Sequence, residues 1–307
     1  MRIKTLGLVT VLALGLTVTP AQASAWPGDS AVRTADASGV FGKNLSGLSF
    51  ESSQVVWAVK NSPSTLYRLT PSGGTWQISQ TRSLAFADGR GDPDAEGVVS
   101  TPDGLFVVSE RDNDDEDVSA PTVLKYGTSG IATTQWRLPG MPQTDPNDGP
   151  EGIAWVPDVF LTSQNFKADN GKLYDPADFP GHGTGLVAVG LEATGEIYLY
   201  ALQSAKAVLV AKFASGQKQV MELEFDGTQL WATCDDHCDG RATTFVISSG
   251  RFKLKNTYDR PAKLPNVNLE GFAISPGCVN GKKLVLWSDD DNTDKHALRG
   301  GAVNCTV

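Results

Sequence analysis

The chain has 307 residues and a formal net charge of −9, from 26 lysines and arginines against 35 aspartates and glutamates. This acidic balance argues against binding to nucleic acid or to an anionic membrane surface, because both draw on clustered basic side chains. Apolar and charged fractions of 40% and 20%, with 32 glycines and 17 prolines, indicate a globular protein rich in turns.

The first 25 residues have the pattern of an export signal. Arg2 and Lys4 precede an apolar run at residues 6–18, and small residues at 21–25 offer cleavage sites after Ala25 or Ala23. Cleavage would release a secreted, extracytoplasmic protein with a net charge of −11, since the leader holds two basic and no acidic residues. The alternative is an uncleaved anchor helix, for which the run is short. No other segment could span a membrane.

Five segments share a short pattern, and four of them carry a glutamate at its centre. In chain order this position holds Ser46, Glu96, Glu151, Glu222 and Glu270, and glycine follows it in every segment except the fourth. Each segment leads into a turn and then an apolar strand. The spacings of 50, 55, 71 and 48 residues are typical of β-propeller blades with four short strands each.

The second interval shows the strands of a blade most clearly. Apolar runs separated by turn residues predict strands at residues 97–100, 104–109, 122–126 and 131–138. The third interval gives strands two to four at residues 185–191, 196–201 and 207–213. Residues 160–183 are left over, so they form an insertion that accounts for the long third spacing.

Only 37 residues follow Glu270, which is too few for a whole blade. An N-terminal strand within residues 30–40 would complete this blade and close the ring. The sequence therefore predicts an all-β protein, with a single β-propeller domain at residues 26–307. The domain has five four-stranded blades, or six if another lies in the third interval.

The repeated glutamates predict a metal site on the propeller axis. The first strand of each blade lines the central channel, so the four glutamates would meet at one channel mouth. Carboxylates at short range raise one another's pKa or need a cation, and hard oxygen ligands suit Ca²⁺. The predicted calcium ligands are Glu96, Glu151, Glu222 and Glu270. A structural network, in which each glutamate caps backbone amides, is the alternative.

The second strand of each blade runs antiparallel to the first, so its end returns to the same mouth. The candidates there for substrate contact, or for an outer layer around the metal, are Glu110, Arg111, Glu192, Asp235, Asp290 and His296. The candidates for the chemistry itself are Glu151, Asp289 and His237. A histidine near a metal-bound water would serve as general base. His182, within the insertion, is a third histidine that could approach this face.

Four cysteines fit an exported protein. Four cysteines allow three connectivities, and pairing of neighbours predicts the disulfides Cys234–Cys238 and Cys278–Cys305. The alternative for the first pair is zinc, held by the two thiolates with His237 between them. The sequence, however, has no second pair of cysteines at the spacing typical of a zinc site.

Several of these segments resemble a known family. Residues 94–97, 149–154 and 269–274, with the strand end at residues 286–290, resemble the "esterase-like activity of phytase" propellers and their SdiA-regulated relatives, and more distantly the gluconolactonase-type calcium propellers. The resemblance implies a secreted propeller, often with calcium at the channel and sometimes with ester or phosphoester hydrolysis. A metal-binding glutamate of the gluconolactonase type would map to Glu96, Glu151 or Glu270. The basic cluster that binds phytate in propeller phytases has no counterpart.

Two functions follow as hypotheses. The first is a calcium-dependent hydrolase of small esters, lactones or phosphoesters, acting as a monomer on a small molecule at the channel mouth. The second is a non-enzymatic exported propeller with a structural metal, which binds a ligand or a surface protein. The insertion would be a contact loop in the second case and a substrate lid in the first.

Overall fold

The computed structural model describes residues 23–306, and these residues form five antiparallel sheets of four strands each. The innermost strands of successive sheets contact one another in a closed cycle, so the sheets are the blades of a β-propeller. This confirms the all-β architecture and sets the number of blades at five. The predicted leader, residues 1–25, lies outside the described residues except for positions 23–25.

The strands follow one another from blade to blade, after a first short strand, β1 (Arg33–Thr34). Blade 1 contains β2 (Leu45–Ser52), β3 (Val55–Lys60), β4 (Thr65–Ser72) and β5 (Thr75–Ser83). Blade 2 contains β6 (Pro93–Thr101), β7 (Gly104–Asp112), β8 (Ser119–Tyr126) and β9 (Ala132–Arg137). Blade 3 contains β10 (Pro150–Pro157), β11 (Gly185–Leu191), β12 (Glu196–Leu202) and β13 (Ala207–Ala214).

Blade 4 contains β14 (Glu222–Phe225), β15 (Leu230–Thr233), β16 (Ala242–Ser248) and β17 (Arg251–Tyr258). Blade 5 contains β18 (Leu269–Ile274), β19 (Lys282–Asp289), β20 (Leu298–Asn304) and, as its outermost strand, β1. Arg33 pairs with Gly300 and Thr34 with Arg299 in antiparallel register. The N-terminal strand therefore closes the ring, as predicted.

Glycine after the repeated position lets the inner strands of neighbouring blades approach each other. A Cβ atom on Gly97 would lie 2.5 Å from the carbonyl oxygen of Glu151 in the next blade. Gly47, Gly152 and Gly271 would meet backbone atoms of the next blade at 2.5, 2.6 and 2.5 Å. Any larger side chain at these positions would force the strands apart, so the glycine of the repeat is a packing requirement of this narrow ring.

The insertion lies at the channel end opposite the repeated glutamates. In the β10–β11 pair, Pro157 faces Gly185 at the insertion end, whereas Pro150 faces Leu191 at the other end. The insertion begins with α1 (Asp158–Ser163) and packs Leu161 and Phe166 against blades 3 and 4. It therefore cannot act as a lid over the acidic mouth.

The prediction that His182 approaches the acidic face is wrong for the same reason. Its Nε2 atom lies 3.1 Å from a carboxylate oxygen of Asp158 and 3.1 Å from the hydroxyl of Tyr174. Both partners belong to the insertion or its first turn. These contacts hold the insertion together.

Both predicted disulfides are confirmed, with Cα–Cα distances of 5.7 Å for Cys234–Cys238 and 5.9 Å for Cys278–Cys305. The zinc alternative for the first pair is wrong, because a disulfide leaves no thiolate to bind a metal. Two disulfides indicate an oxidising or extracellular environment. Within residues 23–306, no helix is long and apolar enough to cross a membrane.

Replacement of Trp26 by alanine should weaken the closure between blades 4 and 5. The indole ring lies 5.9 Å from Trp231 of blade 4 and 5.5 Å from Trp287 of blade 5, and its Nε1 donates to the carbonyl of Ala302 at 2.8 Å. Loss of a large packed aromatic side chain should lower the free energy of unfolding by roughly 3 kcal/mol.

Chemical denaturation of the Trp26→Ala protein measures this change. Val159, which is 78% exposed in the insertion, supplies the matched control, and its replacement by alanine should leave the unfolding midpoint unchanged. Equal midpoints for the two variants would mean that the Trp26 side chain does not stabilise the contact between blades 4 and 5.

Candidate metal centre

A β-bulge lies at the repeated position in blades 1, 2, 3 and 5. The strand register shifts around Ser46, Glu96, Glu151 and Glu270, where the first strand pairs with the second. A bulge re-aims a side chain and bends its strand. In blade 4 the paired register begins only at Glu222, opposite Thr233, and the amide of Met221 donates to the carbonyl of the same Thr233 at 2.9 Å.

The mouth of the channel holds a cavity of about 360 Å³. Its carboxylates are Glu96, Glu110, Glu151, Glu192, Asp235, Asp236, Glu270 and Asp291. The other lining residues are Asn61, Asn147, Met221, His237 and Asn268. No lysine or arginine of the described chain lines this cavity, which gathers a large share of the acidic excess into one place.

Burial and mutual repulsion both act on these carboxyl groups. Glu96, Glu151 and Glu270 are only 4%, 5% and 9% exposed. The pKa of each lies well above its ordinary value, first because burial removes hydration and then because neighbouring carboxylates repel the charge. The same first cause raises the pKa of Glu110 to about 8 and that of Glu192 to about 7.

Two buried acceptor atoms of the lining residues have no hydrogen-bond partner. They are Oε2 of Glu270 and Oδ1 of Asn61. The other oxygen of Glu270 accepts from Nδ2 of Asn268 at 3.0 Å, and Nδ2 of Asn61 lies 3.5 Å from Glu96. Buried oxygens without donors are costly unless a cation or water satisfies them. Carboxylate and amide oxygens around an acidic cavity are a donor set that fits Ca²⁺.

Glu222 makes contacts that differ from those of the other three glutamates. It is fully buried, and its carboxylate accepts hydrogen bonds from the backbone N–H groups of Leu48, Ile153 and Leu223 at 3.2, 3.0 and 2.9 Å. These amides belong to blades 1, 3 and 4. Burial raises its pKa well above the ordinary value, while the three amides act in the opposite direction. Glu222 thus matches the structural alternative, in which the glutamate caps backbone amides.

Arg111 is held in the wall beside the cavity. Its Nε lies 2.6 Å from a carboxylate oxygen of Asp94, and its Nη1 donates to the carbonyl of Pro146 at 3.1 Å. One oxygen of Glu110 lies 3.7 Å from Nη2, and the other accepts from the amide of Gly149 at 3.0 Å. The guanidinium group of Arg111 therefore contacts acidic and carbonyl groups of the protein.

Asp235 and His237 form a pair at the rim of the cavity. Nδ1 of His237 lies 2.9 Å from Oδ2 of Asp235, and the same carboxylate accepts from the amide of His237 at 2.9 Å. This hydrogen bond raises the pKa of His237. The Cys234–Cys238 disulfide encloses both residues in one short loop. The side chain of His237 is 69% exposed, so its other ring nitrogen is open to a ligand.

Besides Glu222 and Arg111, three further sequence candidates do not line the cavity. Asp289 is fully buried, where it accepts from the amide of Thr293 at 3.1 Å and faces Arg299 at 3.3 Å. His296 faces Asp36 at 3.0 Å. Asp290 lies behind Glu270, whose pKa its charge helps to raise, and burial raises its own pKa to about 6.

Sequence reasoning missed the three amides and two acids, Asp94 and Asp291. Asn61 follows the second strand of blade 1, a position where acids were sought, and Asn268 lies two residues before Glu270. Asn147 and Asp291 also line the cavity. Asp94 lies beside it, and its carboxylate oxygens come within 4.8 Å of those of Glu96 and Glu110. A search for all oxygen ligands near each repeat would have found them.

A five-bladed propeller with a cavity of carboxylates at one channel mouth defines the class of this protein. Its sequence matches the phytase-like family, described as "esterase-like activity of phytase", over residues 41–292. The chain belongs to this family. No curated protein matches it.

Several solved structures are similar to this chain at low sequence identity. The glutaminyl cyclase of Myxococcus xanthus matches at 13% identity and a TM-score of 0.51, over 88% of this chain and 95% of that one. The Malassezia sympodialis allergen Mala s 1 matches at 10% identity and a TM-score of 0.46, over 84% and 74%. A chain of the mitotic checkpoint complex matches at 13% and 0.44, over 85% of this chain and 63% of that one. The first of these shows the fold alone.

Proposed function

We propose that this protein is a secreted, calcium-dependent hydrolase of small esters, lactones or phosphoesters, which acts at the acidic mouth of the channel. The observation that carries the proposal is the cavity of eight carboxylates without a lining lysine or arginine, in which buried oxygens of Glu270 and Asn61 lack donors. Export is supported by the leader pattern of residues 1–25 and by the two disulfides.

Glu96, Glu151 and Glu270 are the residues that would hold the cation, with Oδ1 of Asn61 as a further ligand. The side chain of Glu151 accepts no hydrogen bond from the described residues, so both its oxygens are available. Bound here, Ca²⁺ would polarise a carbonyl or phosphoryl oxygen of the substrate. Glu222 holds the inner strands of blades 1, 3 and 4 together through its three amide contacts and is not a proposed ligand.

His237 would accept a proton from the attacking water. Asp235 binds Nδ1 and so directs the opposite ring nitrogen away from the loop. The carboxylate also stabilises the imidazolium that forms when His237 takes the proton. Glu192, whose pKa lies at about 7, is the next carboxyl group in the cavity wall that could share this role.

Replacement of His237 by alanine should lower kcat for an ester substrate by about 100-fold, because removal of a general base typically has this effect or a larger one. The assay is the initial rate of p-nitrophenyl acetate hydrolysis with calcium present. His296→Ala is the matched control, since His296 pairs with Asp36 away from the cavity. Equal rates for the two variants would remove His237 from the chemistry.

Without a cation, the folded protein should lose stability as pH rises from about 5 to about 8. Folding raises the pKa of Glu110 to about 8 and of Glu192 to about 7, from 4.5, so the unfolded chain releases these protons first. The free energy of unfolding therefore falls across this window. A bound cation offsets the repulsion, so its stabilising effect should grow with pH.

Melting curves at several pH values, recorded with calcium or with a chelator, measure this effect. The gap between the two melting temperatures should widen from about pH 5 to about pH 8. A gap that stays constant or narrows would contradict the proposed coupling between the carboxyl groups and the cation.

A second candidate function is a non-enzymatic propeller with a structural metal, which binds a ligand or a surface protein. The burial of three acidic side chains favours this candidate. Asp94, Glu96 and Glu110 are 1%, 4% and 2% exposed, and their carboxylate oxygens lie within 4.8 Å of one another. A cation there would cross-link strands rather than meet a substrate. This candidate predicts a calcium-dependent melting temperature with no turnover of any ester.

A further inference from the structure

The charged groups that line the mouth cavity are almost all of one sign. Eight carboxylates face it, and His237 at the rim is the single lining residue that can carry a positive charge. A phosphomonoester carries close to two negative charges near neutral pH, whereas a carboxylic ester or lactone carries none. The negative electrostatic potential of the site therefore repels a phosphomonoester but has little effect on a neutral ester or lactone.

Two basic residues, Arg111 and Lys43, pair with acids in or beside the cavity. Nε of Arg111 contacts Asp94 at 2.6 Å, and its Nη1 donates to a backbone carbonyl. Nζ of Lys43 contacts Asp291 at 2.8 Å, on a side chain that is 68% exposed outside the cavity. Phosphate binding relies on charge-assisted or bidentate donors, and neither group offers them to a ligand in the cavity.

The buried oxygens of the cavity favour a positively charged ligand, whereas a phosphate group brings negative charge. Oε2 of Glu270 and Oδ1 of Asn61 are acceptors without donors, and they call for a cation rather than for a second anion. The three negative charges of Glu96, Glu151 and Glu270 would exceed the two positive charges of a bound dication. Those of the five remaining acidic groups of the lining that are ionised would add to the repulsion of an anionic substrate.

We infer that the site selects neutral carboxylic esters or lactones and excludes phosphomonoesters. This inference rests on the proposed hydrolase function and narrows its substrate class. A neutral carbonyl group needs only polarisation and a proton acceptor, both of which the proposed site supplies. A phosphate group would need donors that the described residues commit elsewhere.

The test compares two substrates with the same leaving group, p-nitrophenyl acetate and p-nitrophenyl phosphate, and adds calorimetric titration with inorganic phosphate. The calcium-loaded protein should hydrolyse the acetate with a kcat/KM at least 100-fold higher, after subtraction of the rate of the Glu151→Gln protein. Phosphate at millimolar concentration should give no saturable heat.

A variant with a changed charge tests whether the negative charge of the cavity causes the preference for the neutral ester. Glu192→Lys places a cation in the cavity wall and should reduce the preference by about tenfold or more. Asp115→Lys makes the same change in net charge on an exposed loop outside the cavity and should leave the preference unchanged. Equal effects of the two variants would overturn the inference.

The outcomes separate the inference from the function on which it rests. Faster turnover of the phosphate ester, or saturable phosphate binding that Glu151→Gln abolishes, would overturn the inference and leave the hydrolase function standing. No turnover of either ester would overturn the hydrolase function. In that case the absence of phosphate binding would still support exclusion of anions by this cavity.

Discussion

Replacement of Glu222 by alanine should destabilise the fold more than any other single change at the channel. The substitution leaves the amides of Leu48, Ile153 and Leu223 without their acceptor, deep in the ring. Each buried group left unpaired costs about 1–3 kcal/mol, so the sum is roughly 3 kcal/mol even after relief of the buried carboxyl group. For a protein of this size the melting temperature should fall by about 10 °C.

Two further variants make this result specific. Glu222→Gln keeps one acceptor oxygen but turns an NH₂ group toward an amide donor, so it should lose about half as much stability. Glu116→Ala, on an exposed loop, should change nothing. A fully stable Glu222→Ala protein would show that the three amide contacts do not hold blades 1, 3 and 4 together.

Glu151→Gln should weaken calcium binding strongly and abolish turnover while the protein still folds. The side chain contacts no donor within the described residues, so its charge has no structural partner to lose. Its pKa is raised by burial and by the charges of Glu96, Glu110 and Glu270. Loss of one of three anionic ligands should weaken calcium binding by about 100-fold or more.

The same substitution has an opposite effect on the cation-free protein. Removal of one of several mutually repelling carboxylates should leave its melting temperature in chelator unchanged or raise it, above all near pH 8. The calcium-dependent rise in melting temperature should disappear. A variant that melts far below the wild type in chelator would give Glu151 a structural role like that of Glu222.

The repeat predicted the frame of the molecule because it reports local requirements. Glycine after Glu96, Glu151 and Glu270 marks the close approach of inner strands, and the spacing marks one blade per repeat. The third interval was correctly divided, since β11, β12 and β13 begin where the pattern placed them. Each of these properties depends on neighbouring residues or on distance along the chain.

The roles of the individual glutamates were harder to predict because they depend on contacts between blades. Glu222 occupies the repeated position, but its carboxylate accepts three backbone hydrogen bonds, whereas Glu96 and Glu151 line the mouth cavity. Leu223 in place of glycine was the only sign of this difference. The amides that Glu222 binds belong to blades 1, 3 and 4, and a short motif does not contain such distant partners.

The ends of the second strands were predicted to share one face, and they do, but not every side chain points into the cavity. Asp289 turns toward Arg299, ten residues further along the chain, and His296 turns toward Asp36 in the N-terminal segment. Neither partner belongs to the repeated motif, and Asp36 lies 260 residues from His296 in the sequence. By contrast, Asp235 and His237 lie in one short disulfide loop, and they do line the cavity.

Calorimetric titration of the purified, metal-depleted protein with calcium tests the central claim most directly. The proposed centre predicts saturable binding near pH 8 that weakens as the pH falls toward 6 and is lost in the Glu151→Gln protein. No saturable binding by the wild type, or the same affinity in both proteins, would show that the carboxylates of the channel mouth do not form a cation site.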